Sequence, residues 1–302
     1  MKFITTTDKT SGEEVKLAYY DYGNGKPVIL IHGWPLSKEM FEYQLNALID
    51  AGLRVIAYDR RGFGKSDQPW NGYDYDTLTD DLKAVIDGLH LTDVTLVGFS
   101  MGGGEVARYF TKYGGENVSK AVLISSVVPY LPQTEDNPNG VPQDKLQEMA
   151  DGAKQDRIGF LDAFGKHFFG ISLMSYPVSA PLLEYYRMLA SVASPRATME
   201  CMKAFAYTDF RNDAININVP TLIIHGDSDK TVPIEISGQR AAELIKNNQY
   251  LVYEGAPHGL FYTEKEKLNA DLVSFIINGT TYSSQAPIRV ILSGNTEGLV
   301  TR

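Results

Sequence analysis

The stretch Val94-Thr-Leu-Val-Gly98-Phe-Ser100-Met-Gly102 decides the fold, because an apolar run turns through a glycine-flanked serine into a helical segment. A strand, a sharp turn and a helix with Gly-x-Ser-x-Gly spacing together predict a turn that raises the serine hydroxyl above the end of the strand. Such a turn holds the serine in a strained backbone conformation, so small residues must flank it. We therefore predict that Ser100 is a nucleophile.

Similar apolar runs occur on both sides of this stretch and predict a sheet. Most are almost continuously apolar, as expected for parallel strands covered on both faces, whereas the first two alternate like an antiparallel edge hairpin. The eight candidate strands are Lys2–Thr6, Val15–Tyr22, Val28–His32, Arg54–Tyr58, Val94–Gly98, Ala121–Ser125, Thr221–His225 and Tyr250–Tyr253. We predict an α/β fold with a mostly parallel eight-stranded sheet and helices on both faces.

Helical segments separate most of these runs and define the expected domains. The candidate helices are Lys38–Ala51, Asp76–Leu89, Met101–Tyr113, Ile236–Asn247 and Glu264–Ile277. Residues 129–218 interrupt the alternation with a helix-rich insertion, in which Phe160, Phe164, Phe168 and Phe169 are spaced along one apolar helical face. We expect a core of residues 1–128 and 219–278, a helical cap of residues 129–218, and a tail of residues 279–302 without an assigned role. One β-like run, Ile288–Leu292, lies in that tail.

The composition of the chain limits which ligands and which cellular compartment we expect for the protein. The net charge of −9 disfavours nucleic acids and anionic membranes and leaves small molecules as the expected ligands. The single cysteine, Cys201, excludes an internal disulfide and a thiolate metal site, and with the absence of a signal-peptide core it predicts a cytoplasmic protein. Metal and nucleotide motifs are absent from the sequence, so we expect no cofactor and no metal. A homo-oligomer is compatible with the sequence, which leaves the number of subunits open.

A serine hydroxyl needs a general base, and among the five histidines the base is expected on a late loop. His258 lies in Gly255-Ala-Pro-His-Gly259, just after the last predicted strand, and is the candidate base. His32 is expected to support the turn after its strand. His225 ends a buried strand and is interpreted as a structural residue.

The base in turn needs an orienting carboxylate, and the loop after the Thr221–His225 strand offers Asp227 and Asp229. Spacing alone does not choose between them, and an aspartate in such a loop is ordinarily a turn former or helix cap.

The stabilising N–H groups for a developing oxyanion are expected from the backbone of Met101 and Trp34. Arg60 and Arg61, in the loop after Tyr58, are expected to be solvated or to pair with Asp59 and Asp67.

Several motifs together resemble the cofactor-free haloperoxidase, or aryl esterase/perhydrolase, branch of the α/β-hydrolases, which also contains γ-lactamases. They are His32–Pro35, Tyr58–Ser66, Gly72–Asp76, Gly98–Tyr109, Asp136–Pro138 and Gly255–Leu260. In such proteins the triad acid is the aspartate shortly before Val-Pro, so the resemblance assigns that role to Asp229. A proline after the oxyanion-hole tryptophan, here Pro35, is similar to the pattern in perhydrolase-proficient members.

The resemblance implies hydrolysis of small carboxylic esters through an acyl-enzyme on Ser100, with water or hydrogen peroxide as acyl acceptor and peracid formation in the second case. The candidate pocket residues are Trp34, Val128, Phe160, Phe164 and Leu260. The alternatives are a lactonase or γ-lactamase, a carbon–carbon bond hydrolase with the same triad, and a ligand-binding receptor without turnover, since fold alone does not establish function. Dehalogenases and epoxide hydrolases use an aspartate where this chain has Ser100.

Overall fold

The computed structural model describes residues 1–283, and one eight-stranded sheet organises them. The strands are β1 (Lys2–Thr7), β2 (Glu14–Tyr22), β3 (Pro27–Ile31), β4 (Arg54–Tyr58), β5 (Val94–Phe99), β6 (Val118–Ile124), β7 (Thr221–Gly226) and β8 (Asn248–Tyr253). Their order across the sheet is β1-β2-β4-β3-β5-β6-β7-β8. The pairs β1–β2 and β2–β4 are antiparallel and the remaining pairs are parallel. The predicted α/β fold, with its mostly parallel sheet and antiparallel edge hairpin, is confirmed.

Within residues 1–283 the α-helices connect or extend these strands. They are α1 (Glu42–Asp50), α2 (Tyr75–Gly88), α3 (Met101–Tyr113), α4 (Gln143–Gln155), α5 (Arg157–Phe168), α6 (Ala180–Val192), α7 (Pro195–Tyr207), α8 (Arg211–Asn216), α9 (Gly238–Leu244), α10 (Leu260–Thr263) and α11 (Lys265–Asn278). None of the helices in this part of the chain combines the length and apolarity that a membrane span needs.

The strand order also explains why the helices cover both faces of the sheet. The chain passes from β3 to β4 in one direction across the sheet and then returns past β3 to β5. Because parallel crossovers are almost always right-handed, reversing direction places α1 on one face and α2 and α3 on the other. α1 packs against α11, and α2 packs against α3. The helices α4 to α8 all lie between β6 and β7, in the segment predicted as an insertion.

The core strands are buried because nearly every side chain on them is apolar. β5 and β7 are buried along their whole length, which is the pattern expected when helices cover both faces. The carboxyl ends of β3, β5, β7 and β8 lie along the same edge of the sheet, since these strands are parallel. Loops that follow them therefore meet at one place, where ligands bind in open α/β sheets.

One predicted helix is shorter than expected. A 3₁₀ turn at Ile234–Ile236 leads into the segment Ile236–Asn247, in which α9 covers only Gly238–Leu244. The Asn248 side chain donates hydrogen bonds to the carbonyl groups of Ala242 and Ile245, at 2.9 and 2.6 Å. These bonds satisfy carbonyl groups that a longer helix would have used, so α9 ends early.

The prediction for the two arginines after β4 is wrong. Arg60 and Arg61 are completely buried. Arg61 donates to Asp81 and to Asp8, at 2.7 Å in each case, and Arg60 donates to Glu105 of α3. Their partners lie 20 to 53 residues away in sequence, which local reasoning about a solvated loop did not consider. The expected partners Asp59 and Asp67 instead accept from the backbone N–H groups of other residues.

The described chain ends just beyond α11. Gly279 has φ of +76° and ends α11 in the left-handed conformation that glycine adopts without a steric penalty. Ser283 donates two hydrogen bonds of 2.7 Å to the buried carboxylate of Asp271, one from its N–H and one from its hydroxyl. The predicted β-like run Ile288–Leu292 lies outside the described residues.

Because Arg60 is buried, a variant that breaks its ion pair with Glu105 tests how much this pair stabilises the fold. Glu105→Gln removes the charge that compensates a fully buried guanidinium, so we expect the free energy of unfolding to fall by about 3–5 kcal/mol. Urea denaturation followed by circular dichroism measures this change. The control is Glu148→Gln, which breaks the exposed pair with Lys145 and should change stability little. Equal effects of the two substitutions would contradict the assigned role of the buried pair.

Candidate active site

Ser100 lies in the tight turn between β5 and α3, in a conformation that non-glycine residues rarely adopt. Its φ is +53° and its ψ is −117°. A side chain at Gly98 would place its Cβ 2.5 Å from the carbonyl oxygen of Gly102, and one at Gly102 would meet the carbonyl oxygen of Ile31 at 2.4 Å. The turn can therefore form only with glycine on both sides of the serine. Two backbone hydrogen bonds hold the strained residue in place. The N–H of Ser100 donates to the carbonyl oxygen of Ile124 in β6, and the carbonyl oxygen of Ser100 accepts the N–H of Gly103.

A chain of hydrogen bonds connects the side chains of Ser100, His258 and Asp229. The Ser100 hydroxyl lies 3.0 Å from Nε2 of His258, and Nδ1 of His258 lies 2.6 Å from Oδ2 of Asp229. His258 is nearly inaccessible, and its ring packs against the rings of Phe99 and Phe168, with centroids 5.1 and 4.8 Å away. Since Nδ1 donates to the carboxylate, Nε2 is the nitrogen free to accept the serine proton.

The structure brings Asp229 to the histidine and leaves Asp227 at the surface. Oδ1 of Asp229 accepts the backbone N–H groups of Thr231 and Val232, at 2.9 and 2.8 Å, while Oδ2 faces His258. Asp227 is exposed, and its carboxylate accepts the N–H of Gly255 at 2.6 Å. Asp227 thus connects the loop after β7 to the loop after β8, a structural role like the one expected from sequence.

Asp229 is a buried carboxylate that its surroundings keep ionised. Burial alone would raise its pKa, but the charge of His258 and hydrogen bonding from His225 and His258 outweigh that effect and hold the pKa well below its usual range. A carboxylate that stays ionised can stabilise a histidine that has taken up a proton. The site therefore has the electrostatics required of a nucleophile, base and acid set.

The two predicted oxyanion donors lie at the ends of β3 and β5. Met101 is the first residue of α3, and within residues 1–283 neither its N–H nor that of Trp34 has a backbone or side-chain hydrogen-bond acceptor. The loop after β3 approaches Ser100 closely, because a Cβ placed on Gly33 would lie 3.1 Å from Cβ of Ser100. N–H groups without acceptors beside a nucleophile can bind a developing oxyanion.

A buried network connects the loop after β3 to the helix that follows the nucleophile. Arg60 donates to Glu105 of α3 and, at 2.7 Å, to the carbonyl oxygen of His32. Nε2 of His32 accepts the N–H of Arg60 at 3.0 Å, which agrees with the expected role of this histidine in the turn. Burial and the charge of Arg60 hold the pKa of His32 well below its usual range, so the ring stays neutral. The network sets the position of Gly33 and Trp34 relative to α3.

Three of the five predicted pocket residues form one aromatic cluster. Trp34 is buried, and the centroid of its ring system lies 5.2 Å from that of Phe164 and 6.3 Å from that of Phe160. Its indole N–H donates to the carbonyl oxygen of Thr198 in α7, which joins the loop after β3 to the insertion. Val128 and Leu260 are fully buried. Val128 follows Val127, whose N–H donates to the carbonyl oxygen of Ser100, and Leu260 is the first residue of α10. Contact of these five residues with substrate stays a prediction.

Sequence reasoning missed the contact between His225 and Asp229. Nε2 of His225 lies 3.2 Å from Oδ2 of Asp229 and 2.9 Å from the carbonyl oxygen of Val232. The signal was present, because His225 and Asp229 are four residues apart across the turn that follows β7. Phe168, which packs on His258, was assigned only to an apolar helical face.

The described part of the chain also shows how its candidate metal-ligating side chains and its thiol are placed. No group of three or more His, Cys, Asp and Glu side chains among residues 1–283 is placed to hold a metal ion. Cys201 is fully buried, and burial raises the pKa of its thiol to about 12, which makes it a poor nucleophile.

The chain is similar to known proteins in both sequence and fold. A family profile described as the alpha/beta hydrolase fold matches residues 26–265. The chain is 42% identical to a non-heme haloperoxidase of Rhodococcus erythropolis over 91% of this chain and 99% of the relative. It is 39% identical to a bifunctional esterase/perhydrolase of Acinetobacter calcoaceticus, again over 91% and 99% of the two chains. The crystal structure of a bromoperoxidase from Bacillus anthracis superimposes with a TM-score of 0.85 at 48% identity, covering 90% of this chain and 99% of that one.

The two aspartates of the loop after β7 provide a matched pair of variants. Asp229→Asn removes the charge that faces His258, so we expect the turnover number for an ester to fall by about 10⁴-fold, as when the acid of a triad is neutralised. Asp227→Asn changes an exposed carboxylate two residues away and should leave most of the activity. Steady-state rates at neutral pH measure both effects. A larger loss for Asp227→Asn would reverse the assignment of the acid.

Proposed function

The chain belongs to the α/β-hydrolase fold family, and on that premise we propose that it hydrolyses small carboxylic esters through an acyl-enzyme and transfers the same acyl group to hydrogen peroxide. The observation that carries this proposal is the hydrogen-bonded series of Ser100, His258 and Asp229 at the carboxyl ends of β5, β8 and β7. Relatives also support the proposal, because proteins named as esterase/perhydrolase and haloperoxidase align with nearly the whole chain.

In the first half of the reaction the ester carbonyl is attacked by Oγ of Ser100. His258 Nε2, 3.0 Å from that oxygen, takes the proton as the bond to the carbonyl carbon forms. The negative oxygen of the tetrahedral intermediate is held by the N–H groups of Met101 and Trp34. Asp229 stabilises the charged imidazole. The bond to the leaving alcohol then breaks, and His258 gives its proton to that alcohol.

In the second half an acyl acceptor releases Ser100. Water or hydrogen peroxide loses a proton to His258 and attacks the acyl carbon. The bond from that carbon to Oγ breaks, and the proton returns to the serine. Water yields a carboxylic acid, and hydrogen peroxide yields a peracid. Peracid formation needs no metal or redox group on the protein, because the peroxide bond is transferred intact. A halide would be oxidised afterwards by the released peracid.

The insertion is proposed to limit the size of the acyl group. We assign residues 129–218 as a cap over a core of residues 1–128 and 219–278, and the packing of Phe160 and Phe164 against Trp34 supports this assignment. Ser100 is only 6% exposed, so little room is open above the nucleophile. Large acyl chains would have to displace this aromatic cluster.

The single, buried cysteine supports a cytoplasmic location for the protein.

The nucleophile is tested by Ser100→Ala. Because no other group in the proposed mechanism can form the acyl-enzyme, hydrolysis of p-nitrophenyl acetate should fall by at least about 10³-fold in turnover number. The matched control is Ser125→Ala, since Ser125 is a buried serine after the adjacent strand β6 whose hydroxyl lacks a hydrogen-bond partner in the described structure. Undiminished activity of Ser100→Ala would overturn the proposed function.

The substrate class is tested by a series of p-nitrophenyl esters of increasing acyl length, assayed with and without hydrogen peroxide. We expect kcat/KM to be highest for acetyl and to fall as the chain lengthens, because longer chains meet the aromatic cluster. Peracid should form from acetyl esters in the presence of peroxide and be lost in Ser100→Ala. Preference for long chains, or a failure to form peracid with any ester, would contradict the substrate proposal while leaving the nucleophile unaffected.

A further inference from the structure

His225 lies at the end of β7 and is buried beside the proposed catalytic acid. Its side chain is 1% exposed. Nε2 lies 2.9 Å from the carbonyl oxygen of Val232, and because a carbonyl oxygen only accepts hydrogen bonds, this nitrogen carries the proton. The same N–H is 3.2 Å from Oδ2 of Asp229. An imidazole N–H is thus directed at the carbonyl oxygen and the carboxylate together.

The ring of His225 has little freedom to leave this position. A Cβ placed on Gly238, the first residue of α9, would lie 2.7 Å from Nδ1 of His225 and 2.9 Å from its Cβ and Cγ. The backbone of Gly238 therefore closes off one side of the ring. On the other side Val232 contributes both its carbonyl oxygen to His225 and its N–H, at 2.8 Å, to Asp229. His225 and Asp229 are held against the same residue.

With His225 included, the carboxylate of Asp229 is surrounded by donors. Oδ1 accepts two backbone N–H groups, and Oδ2 faces Nδ1 of His258 and Nε2 of His225. A carboxylate has about four lone-pair sites, so its capacity to accept is filled. His258 and His225 are the titratable side chains that face it, while the neighbouring Asp227 and Lys230 are exposed at the surface.

We infer that His225 is a positioning residue, which holds the Asp229 carboxylate in the rotamer that serves His258 and shares its negative charge. This inference rests on the proposed function, because it assumes that Asp229 acts through His258 on Ser100. Without the His225 N–H, Oδ2 would be held by His258 alone. The carboxylate would then accept a proton at higher pH, and its orientation would be less restricted.

The direction of the pH effect follows from the pKa of Asp229. The His225 N–H is one of the interactions that hold this pKa below its usual range. Without it, more of the carboxylate's negative charge is left to stabilise a proton on the Asp229–His258 pair, so the pair takes up that proton at higher pH. Catalysis requires the Asp229–His258 pair to have an ionised carboxylate and a neutral imidazole. The acid limb of the profile of kcat/KM against pH should therefore move to higher pH. A residue that served only packing would lower the amount of folded protein without moving this limb.

Two substitutions at position 225 separate the donor from the ring. His225→Leu removes the N–H and keeps an apolar side chain, whereas His225→Gln keeps an amide N–H at about the distance of Nε2 from the backbone. We expect His225→Leu to lower kcat roughly tenfold or more with a smaller change in KM, and to move the acid limb up by about one pH unit, the scale of one hydrogen bond to a charged group. His225→Gln should restore most of the wild-type kcat and return the acid limb close to its wild-type position. Stoichiometric labelling by a fluorophosphonate gives the concentration of competent sites, so that misfolded protein is not counted.

A double-mutant cycle with Asp229→Asn completes the test. If His225 acts through the carboxylate, adding His225→Leu to Asp229→Asn should cause little further loss. Additive losses, or an acid limb that does not move in His225→Leu, would overturn the inference. Where His225→Leu fails to fold, Gly238→Ala, which would displace the ring without changing a titratable group, must move the acid limb while His225→Gln leaves it near the wild-type position, or the inference is wrong. Wild-type activity that does not depend on Ser100 would instead overturn the proposed function.

Discussion

The hydrogen bonds that join Ser100, His258 and Asp229 depend on three parallel strands that end at one edge of the sheet. β5, β7 and β8 deliver Ser100, Asp229 and His258 from positions up to 158 residues apart in sequence. No local segment could bring these side chains together. The strained conformation of Ser100 is maintained for the same reason, because its backbone hydrogen bonds reach the neighbouring strand β6. The site is thus a consequence of sheet register.

Buried charge is the second constraint on the molecule. Each ionised group that the fold removes from water needs compensating partners, since an isolated buried charge is very costly. Asp229 has two backbone N–H groups and two imidazoles, and Arg60 has Glu105 and the carbonyl oxygen of His32. Both clusters lie next to loops that carry proposed catalytic groups. The charges therefore do more than satisfy one another, because their geometry determines where Trp34 and His258 are held.

Sequence reasoning predicted the sheet, its edge hairpin and α3 well, because long apolar runs and the glycine-flanked serine are local signals. Spacing alone could not choose between Asp227 and Asp229, and Asp229 was assigned by resemblance, because both occupy the same loop and only the folded chain shows that one is buried and the other exposed. Sequence reasoning expected Arg61 to be solvated or to pair with Asp59 or Asp67, because its partners Asp8 and Asp81 are remote in sequence. His225 was interpreted as structural, because its spacing of four residues from Asp229 places the two side chains near each other but does not show that its Nε2 faces the carboxylate.

The central claim is that Ser100 is the nucleophile of a functioning Ser–His–Asp series, and covalent labelling tests it most directly. The full-length protein would be treated with a fluorophosphonate, and the modified residue identified by peptide mass spectrometry while esterase activity is followed in the same sample. We expect one modified residue, Ser100, with activity lost in proportion to its modification and labelling greatly slowed in His258→Ala. Inactivation without modification of Ser100, or full activity with Ser100 modified, would contradict it.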